Sequence, residues 1–266
     1  VAEEIATLDH ISQGRLDFGI GRSTFPTTYD SYGIPYSESR ERFLECLEII
    51  LKGWSTERFS YEGQYYKFQD VCVVPKPFQN PHPPISIGAT SVESFEMVGH
   101  MGYPILVNPS RGFSLLGMAP HIQQYRRAWQ EAGHQGQAEV GLRVPMYVAE
   151  TADRAYSEPQ ESTMFQIRRL ANVIGASGSH TGVSAVSLED RNAQANLLAD
   201  MNYDDVLRDK VIYGTPGEVV ERIRQLDDEL GLTQIIYEVN FGCRIPYEMQ
   251  VNCLKLMMER VVPEFG

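Results

Sequence analysis

Five apolar runs of strand length, separated from one another by stretches of helical periodicity, constrain this chain more than any other feature. Residues 15–21, 85–89, 103–108, 140–149 and 234–240 read as strands, and 37–54, 90–101, 118–132, 216–230 and 247–262 as amphipathic helices. Val1, Ile5, Leu8 and Ile11 mark one more helix at the start, which Gly14 stops. Strands joined through helices cannot pair as hairpins, so the sheet must be parallel, either doubly wound or part of a (β/α)8 barrel. Two departures interrupt the rhythm. Residues 61–68 and 71–74 read as an aromatic hairpin before a Pro-rich run at 75–84, and 151–213 reads as an irregular, partly helical stretch, rich in Gly and Ser between 175 and 187. No internal repeat and no charge block marks a domain boundary, so residues 1–266 read as one α/β domain.

Composition narrows the partners. Lys and Arg number 23 against 35 Asp and Glu, a net charge of −12 spread along the chain, without the basic stripe that nucleic acid or an anionic membrane requires. No apolar run approaches the length of a membrane span, and the reading is a soluble, cytoplasmic protein. Cys46, Cys72, Cys243 and Cys253 form no C-x-x-C pair and lie at no metal-ligand spacing from a histidine, which suggests reduced thiols and no metal site. There is no initiator Met and no signal peptide, and the helix already under way at Val1 suggests a piece of a longer protein.

The chemistry concentrates after the strand at 85–89. Thr90 with Glu93 three residues on reads as a capping box, and Ser91 and Ser94 add hydroxyls to the same first turn. Free N–H groups, the positive end of a helix dipole and several hydroxyls make an anion site, although an ordinary capped helix has the same signature. Arg22 directly follows the first strand and Arg40 opens the next helix. Each is a candidate for phosphate oxygens, with surface ion pairing as the alternative. Gly19-Ile20-Gly21-Arg22-Ser23 lacks the third glycine of a dinucleotide fingerprint, and Pro26 interrupts where its helix would run. In Gly214-Thr215-Pro216-Gly217-Glu218, Thr215 as N-cap and Glu218 as its partner explain the motif structurally. The histidines form no ligand pair, and only His180, in the Gly/Ser stretch, is placed to reach a site. No G-x-S-x-G signature supports a hydrolase.

Several segments, taken in order, resemble the bacterial luciferase-like monooxygenases, flavin-dependent (β/α)8 TIM barrels. They are Ala2 to Asp9, Gly14-Arg15-Leu16-Asp17-Phe18-Gly19-Ile20-Gly21-Arg22, the Gly63 to Phe68 hairpin before Pro75-Lys76-Pro77, Ile85 to Ser94, Gly214-Thr215-Pro216 and Asn240-Phe241-Gly242. The resemblance implies that this chain carries barrel strands four to eight. The first three βα units, about 90 residues at roughly 30 each, would lie outside it together with the catalytic base. It further implies reduced FMN as cofactor, held by Arg22, Arg40, Gly88, Ala89, Thr90, Ser91 and Ser94, with His180 and Asn240 near the substrate or lid, and a mobile lid at about 151–213. The implied reaction oxygenates a small organic substrate with oxygen, using flavin supplied by a separate reductase, in a protein that forms dimers. An F420-dependent oxidoreductase on the same barrel and a non-catalytic partner subunit are the alternatives. Where the luciferase subunit has an acidic residue and a cysteine, this chain has Thr90 and Gly21, which sets it apart from the luminescent proteins.

Overall fold

The computed structural model describes residues 1–23, 25–109, 112–177 and 185–266, with side chains of the last segment from 188 onward. They fall into two compact units, residues 1–88 and residues 89–177 with 185–266.

The first unit opens with α1 (Ala2–Ser12), which ends on Gln13 at φ 54°, followed by Gly14 at φ 78°. The buried Asp9 carboxylate accepts the backbone and side-chain N–H groups of Gln79, both at 2.8 Å, and so ties the Pro-rich run to this helix. The chain then forms β1 (Phe18–Ile20), α2 (Pro26–Asp30) and α3 (Ser39–Ser55). Next come β2 (Phe59–Glu62) and β3 (Lys67–Val71), which pair antiparallel as the expected hairpin. In its turn the N–H groups of Gln64, Tyr65 and Tyr66 close on the Glu45 carboxylate of α3 at 2.7, 3.1 and 3.2 Å. A Cβ on Gly63 would collide with that carboxylate, so the turn needs glycine there. β4 (Ile85–Ala89) runs parallel to β1 in the register Phe18↔Ile85 and Ile20↔Ile87, and its residues alternate buried and half-buried.

The second unit contains α4 (Val92–Met101), β5 (Ile105–Val107), α5 (Ala119–Glu131) and β6 (Val140–Val148). Four helices follow: α6 (Ala152–Ser157), α7 (Gln160–Ala176), α8 (Ala185–Asp200) and α9 (Tyr203–Asp209). The chain closes with β7 (Ile212–Gly214), α10 (Pro216–Leu230), β8 (Gln234–Glu238) and α11 (Tyr247–Leu256). β6 is the central strand. It pairs parallel with β5 along Val140–Leu142, with β8 along Gly141–Pro145 and with β7 along Met146–Val148. All of β6 except Arg143 is buried, as befits a parallel strand covered by helices. α5 turns Ile122, Tyr125 and Trp129 inward as its periodicity requires, and the buried Tyr125 hydroxyl meets the carbonyls of Tyr103 and Glu139, each at 3.1 Å. Gly99 lets α4 approach α5 closely, because a Cβ there would run into the Tyr125 carbonyl.

Two expectations are corrected. The first strand forms its ladder only over Phe18–Ile20, because the partner strand begins at Ile85. The stretch at 151–213 is mostly helix and adds a short strand, β7. Its helices bury Ile167, Ala171, Ile174, Ala195 and Leu198, and the interruptions between these apolar positions hide the period when the segment is read as a single window. His180 lies outside the described residues.

Candidate active site

The turn after β4 is built differently from its sequence reading. α4 begins at Val92, so the cap is Ser91, in extended conformation, and its box partner is Ser94 instead of the Thr90 and Glu93 pair. The Ser94 Oγ accepts the N–H groups of Thr90 and Ser91, both at 3.1 Å, and donates to the Ser91 carbonyl at 2.5 Å. With its one proton and both lone pairs engaged, the Ser94 hydroxyl shapes the turn. The N–H groups of Val92 and Glu93, at the start of the helix and exposed, have no intrahelical acceptor by geometry and remain the anion donors. Ala89 is buried beneath the turn and Thr90 half-buried.

In the first unit, Arg22 stands at the carboxyl end of β1, half-buried. Its Nη1 donates to the Ser39 Oγ at 2.8 Å, and its guanidinium lies over the Tyr36 ring at 5.7 Å. The hydroxyl of Ser39, itself buried, donates a hydrogen bond to the Tyr36 carbonyl at 2.5 Å. Tyr29 packs edge-on against Tyr36, and burial raises its phenol above the usual range, opposed by the nearby Arg22 cation. Among the described residues no carboxylate pairs with Arg22 or Arg40, so the ion-pair alternative has no support for either. Arg40 is exposed on α3. Gly21 and Gly88 lie side by side at the ends of β1 and β4, and a Cβ on either would meet only backbone at 3.6 Å or more, which leaves a bare main-chain surface. Ser39, Tyr36 and Tyr29 were not singled out from sequence, because 17 residues separate Ser39 from the arginine it holds.

At the carboxyl ends of β6 and β8 the polar groups are mostly occupied. The Asn240 Oδ1 accepts the Ile245 N–H at 3.1 Å and its carbonyl accepts the Cys243 N–H at 3.0 Å, so this residue shapes the loop after β8. Gly242, at φ 93°, sits so close to Ser162 of α7 that a Cβ would overlap the Ser162 carbonyl. The Ser162 Oγ completes the junction, donating to the Phe241 carbonyl at 2.7 Å and accepting the Arg244 N–H at 3.0 Å. Burial raises the Glu238 carboxyl, with Arg143 at 2.9 Å pulling the other way. Thr215 and Glu218 form the expected structural cap, the Thr215 N–H and Oγ1 both donating to Glu218 at 2.7 and 2.8 Å. Those bonds hold the Glu218 carboxyl below its ordinary range. No cluster of metal-binding side chains occurs among the described residues, and no helix is long and apolar enough to cross a membrane.

The sequence profile of the luciferase-like monooxygenase family matches residues 1–234. The FMNH2-dependent dimethylsulfone monooxygenase of Pseudomonas putida is 27% identical over 84% of this chain, which spans 60% of that relative's length. The oxygenase component of the flavin-dependent trigonelline monooxygenase of Acinetobacter baylyi is 23% identical over the whole chain and 72% of its own. Among solved structures, the monooxygenase RslO1 from Streptomyces bottropensis superposes with a TM-score of 0.77 at 25% identity, covering all of this chain and 73% of that one. With parallel strands joined through helices in both units and a family profile matched over most of its length, the chain belongs to the luciferase-like monooxygenases.

Proposed function

We propose that this chain is part of a flavin-dependent monooxygenase that takes reduced FMN from a separate reductase and uses oxygen to oxygenate a small organic substrate. The observation that carries the reading is Arg22, a half-buried guanidinium held by a hydroxyl and a ring, with no carboxylate paired to it among the described residues, in a protein of net charge −12. Such a cation is a donor waiting for an anion, and a flavin phosphate is one. The first turn of α4 offers a second anion-binding element of its own. The bare backbone at Gly21 and Gly88 fits the close approach of a planar ring system. Each unit therefore carries residues that suit a phosphate such as that of FMN: in the first, Arg22, kept in place by Ser39, with Arg40 as an exposed second cation, and in the second, the Val92 and Glu93 N–H groups, in the turn that Ser94 shapes. Bound reduced flavin supplies the activation of oxygen and its transfer to substrate. The named relatives, one FMNH2-dependent and one the oxygenase component of its system, support FMN and a separate reductase. Their greater length supports reading β1, β4, β5, β6 and β8 as strands four to eight of an eight-stranded barrel, with residues 151–213 as a lid. The test is an absorbance and fluorescence titration of the protein with FMN and with F420. Saturable binding of FMN is expected, and preference for F420 would replace this reading with the oxidoreductase.

A further inference from the structure

Lys210 is a buried amine that, among the described residues, hydrogen-bonds main-chain carbonyls and no carboxylate. Only 3% of the residue is exposed, and its Nζ donates to the carbonyls of Pro109 and Phe113 at 2.9 and 2.6 Å. These two carbonyls belong to the connection that leaves the carboxyl end of β5, the edge at which parallel α/β sheets bind ligands. The Leu115 N–H bonds the Asp209 carbonyl at 2.8 Å, so three hydrogen bonds stitch this connection to the base of β7. Phe113 then packs edge-on against Phe95 at 6.0 Å and at a tilt against His121 at 4.9 Å. Phe95 is fully buried and adjoins Ser94, the residue that shapes the first turn of α4.

A methionine or leucine would fill the same space without the cost of burying a charge, so packing alone does not account for an ammonium here. What the ammonium adds is simultaneous capture of two main-chain oxygens four residues apart. We infer that Lys210 is a positioning residue: through the carbonyls of Pro109 and Phe113 and the contact of Phe113 with Phe95, it fixes the first turn of α4 for binding the flavin phosphate. The inference rests on the FMN reading above for its ligand, but not for its geometry.

The charged groups around Lys210 among the described residues are Asp209, whose carboxylate is held by Arg208, and Arg222 of α10, which donates to the Arg208 carbonyl. Burial pulls the Lys210 amine down to about 8, against the pull of Asp209. The closed arrangement therefore binds its proton less tightly than an open, solvated one, and closure gains as pH rises through that value.

The experiment is hydrogen exchange by mass spectrometry on the parent, Lys210→Met and Lys210→Arg, together with FMN titrations. Exchange in residues 112–115 and 92–95 is expected to be about tenfold or more faster in Lys210→Met, with β6 unchanged and Lys210→Arg largely restored, in line with the loss of both hydrogen bonds of the amine. In the parent, protection of these segments, corrected for intrinsic rates, is expected to rise between about pH 7 and about pH 9, and in Lys210→Met to stay flat. FMN affinity in Lys210→Met is expected to fall several-fold. Unchanged exchange in Lys210→Met, or faster exchange with FMN affinity intact, overturns the inference. If Lys210→Met does not fold, Lys210→Gln takes its place, and unchanged exchange of residues 112–115 and 92–95 in that variant overturns the inference as well. A parent that binds no FMN defeats the functional reading while the exchange data still decide the role of Lys210.

Discussion

Arg22 spends one guanidinium hydrogen on Ser39 and leaves the others free for a ligand, because nothing acidic stands beside it among the described residues. Arg22→Ala should therefore weaken FMN binding by about 1.5–3 kcal/mol, roughly tenfold to a hundredfold in Kd, measured by quenching of flavin fluorescence. Ser39→Ala should cost less, since it loosens the arginine without removing it. Equal affinity in Arg22→Ala and parent would remove the phosphate role. The arginine itself was legible in the sequence, since it ends an apolar run at the edge where ligands bind. Its supports were not: Ser39 and Tyr36 meet it only after α2 folds the intervening chain back, and no local period announces that.

The starts of α4 and α10 carry the same capping signature but separate in what surrounds them. In α10 the Glu218 carboxylate fills the box and satisfies the turn from within, whereas in α4 a neutral serine does so and leaves the dipole open. Ser94→Ala and Thr215→Ala should each destabilise the protein by about 1 kcal/mol in denaturant titrations. Only Ser94→Ala should also weaken FMN binding, and an equal effect of Thr215→Ala would point to a general loss of structure. The α4 cap shifted by one residue from its sequence reading because Thr90 with Glu93 and Ser91 with Ser94 both satisfy the motif, and the choice between them lies in where the strand releases the chain. The helices of 151–213 also differ in anchorage. α7 is clamped at Ser162 by the loop after β8, while the side chains described in α8 bury only Ala195 and Leu198. Amides of α8 should thus exchange faster than those of α7 in the free protein and slow on addition of FMN, as a lid requires. The reverse order would assign the motion to another element.

At the scale of the molecule, the alternation of strand and helix was readable outside 151–213, since β1, β4, β5, β6 and β8 all lie within runs that the periodicity marked, whereas β7 and the helices of 151–213 were not separated. The division into two units was not readable, because no linker composition accompanies it. The chain nevertheless contains a means of following each unit alone. It has two tryptophans, Trp54 in the first unit and Trp129 in the second. The Trp54 indole donates to the Ala2 carbonyl at 3.0 Å, whereas the buried Trp129 Nε1 has no hydrogen-bond partner and its ring lies 5.2 Å from that of His134. Their emission should differ in colour, the unbonded indole emitting further to the blue. In Trp54→Phe and Trp129→Phe, the remaining indole reports the melting of one unit. Coincident urea midpoints would show one cooperative fold, and separated midpoints two. The molecule thus holds two built-in fluorescent reporters, one for each half of its architecture.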